Sequence, residues 1–227
     1  MTINKKALAA QIAGMLLVFG VALFGSAGTI AWAAGWIFLI LFFGFTVALS
    51  GWLLRHDPGL LKERMTVFKP DQKTWDKVFL PIALAGFIGW LILMPLDAVR
   101  FHWSSVPEWL QAVGAILLLA SFYLFFLAYR ENPYLSPMVR IQRDRGQRVV
   151  STGPYSYVRH PTYSGVILLT AGSSLLLGSW YGLLAGLAIN AMVTIRALLE
   201  ERVLRRELEG YAGYMARVKY RLIPGVW

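Results

Sequence analysis

The stretch TYSGVILLTAGSSLLLGSWYGLLAGLAINAMVTI, residues 162–195, contains no Asp, Glu, Lys or Arg. As one helix it would measure roughly 51 Å at 1.5 Å per residue, whereas a bilayer's hydrocarbon core is about 30 Å thick. Gly178-Ser179-Trp180 offers a turn near its middle. The stretch therefore reads as a tight helical hairpin of two membrane spans. Four further apolar stretches, 7–27, 29–54, 79–96 and 109–129, are each long enough to cross a bilayer. The expected architecture is all-α and polytopic, with about six transmembrane helices. The first stretch follows Lys5 and Lys6 and could pass for a signal peptide. It exceeds the usual apolar core of such peptides, about 7–15 residues, and a second apolar stretch follows almost at once, so it is read as a retained span.

The charges support this topology. Hydrophobic residues make up 57% of the 227-residue chain and charged residues only 15%, against about 25% charged in soluble domains. The net charge of +10 would suit nucleic-acid binding, but membrane sidedness explains it better. With six spans, every Lys and Arg except Arg100 falls at the N-terminus, after span two, after span four or at the C-terminus. These segments all lie on one face of the membrane. The positive-inside rule makes that face cytoplasmic and puts both termini there. A partner nucleic acid is not expected. Neither is a metal, because there is no cysteine and His56, His102 and His160 are widely separated.

Two parts follow from this layout: a four-span scaffold over 1–130 and a core over 131–227 made of a basic loop, the hairpin and a C-terminal amphipathic helix beginning near Arg196. Within the scaffold, RHDPGLLKERM (55–65) mixes leucines with charges and reads either as an interfacial segment or as a topogenic loop. Gly178, Gly182 and Gly186, spaced by four, read as close helix packing in lipid.

Two segments carry candidate chemistry. In GPYSYVRHPTYSG (153–165), Arg159 and His160 stand where a cytoplasmic loop enters the membrane. Pro161 can open the next helix, whose free N–H groups could face a ligand carboxylate or ribose. Tyr155, Tyr157 and Tyr163 offer aromatic faces for a cation or an adenine ring. A snorkelling arginine and an interfacial tyrosine belt would account for the same residues. The second segment is Glu200-Glu201. Ala197, Glu201, Leu204, Leu208, Tyr211 and Met215 fall on one helical stripe. A carboxylate on an apolar face should be paired or functional. The alternative is ordinary ion pairing at i, i+4 with Arg196 and Arg205, which suits Glu200 better than Glu201.

GPYSYVRHPTYSG, a short hairpin and then EERVLRRELEGYAGYMARVKYRLIP together resemble the isoprenylcysteine carboxyl methyltransferase family, within a wider group that includes phospholipid methyltransferases. The likeness is specific over about 132–227 and extends weakly to DPGLLKERM. It implies an integral membrane methyltransferase that binds S-adenosylmethionine on the cytoplasmic side, between hairpin and C-terminal helix, and releases S-adenosylhomocysteine. By motif, His160, Tyr163, Glu200 and Glu201 would contact the cofactor, with Tyr155 and Tyr214 beside them. Arg159 and Arg217 would bind the acceptor's carboxylate, and Pro161 and Pro224 would shape the pocket. Where family members commonly have Phe-Gly, two residues and Tyr, this chain has Leu208-Glu209-Gly210-Tyr211, one residue shorter. The implied acceptor is hydrophobic and reaches the site from the bilayer: a lipid, a prenylated molecule or a small apolar metabolite. The rival expectations are an NADPH-dependent enzyme like the membrane sterol reductases and a non-catalytic membrane scaffold.

Overall fold

The computed structural model describes residues 3–66 and 69–227. It is all-helical, and no strand occurs among the described residues. In order come α1 (Lys5–Gly20, continued by a π turn Val21–Gly25), α2 (Ala33–His56), α3 (Pro58–Met65), α4 (Thr74–Pro95, continued by a π turn Leu96–Arg100), α5 (Glu108–Glu131), α6 (Pro161–Leu176), α7 (Trp180–Glu207) and α8 (Tyr211–Arg217).

Among the described residues, five helices are long and apolar enough to span a membrane: Lys5–Gly25, Ala33–His56, Thr74–Arg100, Glu108–Glu131 and Trp180–Glu207. The remaining member of the expected six, α6, has 16 residues, or about 24 Å of helix. It still forms the expected hairpin with α7. The turn falls at Leu177–Ser179, with Gly178 at φ 81° and Ser179 capping α7 through a bond from Gly182 N. Large apolar side chains such as Leu17, Ile40, Leu84, Ile116 and Leu187 are exposed around the bundle, as a lipid-facing surface requires.

The C-terminal helix differs from expectation. There is no break at Arg196. α7 runs on to Glu207 because Ala, Leu, Glu and Arg after Ile195 are all strong helix formers. At about 42 Å it outlasts the hydrocarbon core and carries its polar last turns beyond it. The chain then turns at Gly210 (φ 80°) into the short α8. Past that turn the helical stripe no longer holds, and Tyr214, not Met215, faces inward.

α5 and α6 make the tightest seam. A Cβ on Gly114 would lie 2.4 Å from Leu176 N, and one on Gly172 would lie 2.6 Å from Leu118 N. Ser121 Oγ donates to Gly165 O at 2.9 Å. Small residues here let two backbones touch, the usual source of helix association in lipid. Of the glycines expected to pack, Gly182 sits against Met94 and accepts from Trp90 Nε1 through its carbonyl (2.7 Å), Gly186 abuts Thr170, and Gly178 is the turn itself. At the end away from the basic loop, fully buried Asp97 accepts from Ser104 Oγ (2.6 Å), Ser179 Oγ (2.5 Å) and Tyr181 N (3.3 Å), pinning the hairpin turn to α4.

At the basic end, the 55–65 segment is not a plain loop, because residues 58–65 form α3. Asp57 caps α3, and Leu60, Leu61 and Glu63 are buried. Glu63 accepts from Arg140 Nε (2.9 Å) and Nη2 (3.1 Å), from Ser136 Oγ and from Lys69 Nζ. Arg140 also reaches Asp71 and Asp144. Fully buried Asp76, on α4, accepts from Val139 N (2.8 Å) and Arg196 Nε (3.1 Å). The long basic loop is thus fastened to the first half of the chain at two buried carboxylates.

Two outcomes test this packing. Gly172→Ala should destabilise the protein by about 1–3 kcal/mol, while Gly44→Ala, with nothing within 4 Å of the new methyl group, should be neutral; unfolding in detergent measures both. Burial opposes ionisation of Glu63, but the bonds from Arg140 and Lys69 outweigh it and hold the carboxyl at about 2. A depressed acid stabilises the fold above its unfolded pKa and loses that effect as pH falls through its folded one. The stability gap between wild type and Glu63→Gln, on the order of 3 kcal/mol at neutral pH, should therefore shrink as pH drops from about 4.5 towards 2.

Candidate active site

The segment before α6 is fixed by its own backbone. Arg159 N donates to Tyr220 O at 3.0 Å and His160 N to Arg221 O at 2.9 Å, while Ser164 Oγ donates to Leu222 O at 2.5 Å. The C-terminal segment therefore runs alongside the Arg-His-Pro turn. Pro161 is the first residue of α6, where its missing N–H costs nothing.

Glu201 joins three elements. Its carboxylate accepts from Arg159 Nε at 2.5 Å and Arg221 Nε at 2.9 Å. His160 Nε2 lies 3.3 Å from it, in a geometry that leaves this nitrogen without a hydrogen bond. Arg159 Nη1 also donates to Val218 O (2.7 Å) and Lys219 O (2.8 Å). The expectation that Glu201 is buried on the apolar face holds. Its carboxylate, however, is turned into the wall by two arginines, and it does not line the cavity.

Glu200 does line it. Tyr163 Oη donates to Glu200 Oε2 at 2.7 Å and accepts from Arg196 Nη1 at 2.9 Å. Arg196 in turn bonds Asp76 and Pro137 O. The i, i+4 pairs Arg196–Glu200 and Glu201–Arg205 do not form, because each carboxylate has a partner from another element. The His160 and Tyr163 rings stack at 5.3 Å. Tyr214 Oη donates to Tyr155 O at 2.7 Å, and Tyr155 Oη accepts from Asn132 Nδ2 at 3.1 Å. Burial pushes both phenols above the usual tyrosine range, so they are neutral at physiological pH.

These groups surround a cavity of about 230 Å³ between the basic loop, the N-terminus of α6, the end of α7 and α8. Of the expected site residues, Tyr155, Arg159, His160, Tyr163, Glu200 and Tyr214 line it. Pro161 and Glu201 stand behind its wall. Arg217, Pro224 and Tyr157 are exposed and lie outside it. Tyr211 and Tyr214 of α8 and the following Val218 turn inward, whereas the Arg217 side chain is exposed, so Arg159 lines the cavity and Arg217 does not. Sequence reasoning missed Arg196, Asp76, Asn132 and Arg64. The first two carried a usable signal, since each is a charge beside an apolar span, where a charge needs a partner.

Glu201→Gln leaves two arginines facing an uncharged amide. The expected result is a loss of about 3–5 kcal/mol of unfolding stability, whereas Glu200→Gln should retain the fold; denaturant titration in detergent separates them.

No match was found among curated proteins. The family model described as phospholipid methyltransferase matches residues 109–209. That span takes in α5, the basic loop, the α6–α7 hairpin and both glutamates, and so contains most of the cavity wall. Over this segment, which is less than half of the chain, the protein is similar to the phospholipid methyltransferases.

Proposed function

We propose that the protein transfers a methyl group from S-adenosylmethionine to a hydrophobic acceptor dissolved in the membrane, with a carboxylate as the accepting group. The observation that carries this reading is the adjacency of two cavities. The polar one holds His160, Tyr163 and Glu200. Beside it, between α1, α2, α5 and α6, lies an apolar cavity of about 540 Å³ lined by side chains such as Phe42, Phe45, Leu49 and Phe122. Arg64, Phe125, Tyr129 and Val166 belong to the walls of both.

The residues of the polar cavity fit the donor. Glu200 presents a carboxylate suited to a cationic ligand, Tyr155, Tyr163 and Tyr214 present aromatic surfaces, and the buried His160 Nε2 has no hydrogen-bond partner in the protein. Bound there, S-adenosylmethionine supplies a methyl group on a positively charged sulfur. The protein's own contribution is to hold and to exclude. Glu200 is bonded by Tyr163, and Tyr163 by Arg196, so the wall's polar groups are held by one another. Arg159 lines the cavity with Nη2 making no hydrogen bond to the protein, which leaves a donor for the acceptor. Arg217 has no part in this arrangement.

A carboxylate acceptor is already ionised at neutral pH and needs no general base, so positioning and removal of water account for most of the acceleration. Orientation of bound reactants can supply on the order of 7–11 kcal/mol. The charge asymmetry of the loops supports a cytoplasmic site with both termini on that side.

S-adenosylhomocysteine should raise the unfolding temperature of the purified protein and NADPH should not; the reverse pattern would favour a reductase, and no shift with either a scaffold. Glu200→Gln should weaken S-adenosylhomocysteine binding about 10-fold or more without unfolding the protein. With a carboxylate acceptor the rate should be flat above about pH 6, as expected when no proton has to be removed.

A further inference from the structure

Among the buried and half-buried arginines that the structure describes, Arg64 and Arg145 meet no carboxylate, and Arg145, which bonds Gln142, lines neither cavity. Arg140, Arg159, Arg196 and Arg221 each meet at least one carboxylate. Arg64, half-buried on α3, meets none among the described residues. Its guanidinium lies 4.7 Å over the Tyr129 ring, and Nη1 donates to Leu135 O at 3.2 Å. The adjacent Glu63 points the other way, into its bonds with Arg140, Lys69 and Ser136. Arg64 is thus a cation with unused N–H donors at the boundary between the polar and apolar cavities.

A charge withdrawn from water without a counter-charge is costly, and the Tyr129 face and one carbonyl offset only part of that cost. Apart from Arg64, the apolar cavity offers only neutral polar groups, those of Gln11, Thr46, Ser50 and Tyr129. What completes the site is therefore an anion attached to an apolar chain.

We propose that Arg64 binds the acidic head of the acceptor and so determines its class: a long-chain carboxylic acid, with its tail in the apolar cavity between α1, α2, α5 and α6 and its carboxylate at the mouth of the polar one. A guanidinium suits this role because its planar fork can hold both carboxylate oxygens at once. The assignment rests on the methyl-transfer reading. It adds an acceptor-selecting residue from the first half of the chain, outside the segment that the family model matches. It also predicts discrimination: acids are taken and neutral or amino amphiphiles of equal length are refused.

Equilibrium dialysis of the full chain in detergent, with radiolabelled hexadecanoic acid and hexadecanol as probes, tests it. Wild type should bind the acid at least about 10-fold more tightly than the alcohol, the preference expected of one charge-assisted hydrogen-bonded pair. Arg64→Gln should weaken acid binding about 10-fold while changing alcohol binding far less, so that most of the preference is lost, and Arg64→Lys should keep part of it. Equal affinity of wild type for the two probes, or an undiminished preference in Arg64→Gln, overturns the assignment. Thermal stabilisation by S-adenosylhomocysteine is measured alongside. If it is present while the acid preference is missing, only the Arg64 assignment falls. If it is missing while an Arg64-dependent acid preference remains, the methyl-transfer reading falls and the acid site stands.

Discussion

Glu201, 5% exposed on the inner face of α7, accepts from Arg159 at 2.5 Å and from Arg221 at 2.9 Å. Those two arginines come from the entrance to α6 and from the C-terminal segment, which no shared element joins. Arg159 then reaches on to the carbonyls of Val218 and Lys219. A buried ion cluster of this kind adds little net stability over an apolar replacement, but it penalises every arrangement in which one partner is missing. It therefore sets register. With Glu201 in place, the Arg-His-Pro turn, the last turns of α7 and the tail have one way to meet, and that meeting defines the wall on which Glu200, Tyr163 and His160 are displayed.

Five of the expected spans and the hairpin were legible because bilayer thickness and loop charge constrain a sequence strongly, and the turn expected at Gly178-Ser179-Trp180 falls one residue earlier, at Leu177–Ser179. Helix periodicity also placed Glu201 inside. It could not say whether the carboxylate faces a ligand or a neighbour, because Arg221 lies 20 residues away beyond the turn at Gly210. The same turn defeated the motif-based placement of Arg217. Periodicity carried through an unbroken helix puts Met215 inward, whereas the separate short α8 turns Tyr214 in and Arg217 out. The α5–α6 seam was hidden for a different reason. Gly114 and Gly172 come together across a 58-residue separation, and nothing local distinguishes them from Gly44, which touches nothing.

The first half of the chain looked like scaffold because its conspicuous features were apolar length and topogenic charge. Its buried acids carry more. Glu63 and Asp76 hold Arg140, Val139 and Arg196, so the loop that roofs the polar cavity is anchored from outside the family-matched segment. On the proposed reading the two halves divide the labour. The matched segment holds the donor, and α1 to α3 help shape the apolar cavity and select what enters it. Relatives could then share one donor chamber and differ in acceptor through the unmatched helices.

α7 runs from the hairpin turn, where Asp97 clamps Ser179, to the last turns where Glu200 and Glu201 sit. It is a single uninterrupted rod with no glycine or proline after Gly186. Its length works as a gauge: the distance between the far clamp and the glutamates is fixed, while the slab of acyl chains around them is not. Hydrophobic mismatch costs fractions of a kcal/mol per Å, so a thicker slab either tilts the rod or draws its polar end inward. Either response shifts the polar cavity's depth relative to the lipid headgroups, and on the proposed reading the lipid composition of the host membrane thereby becomes an input to turnover.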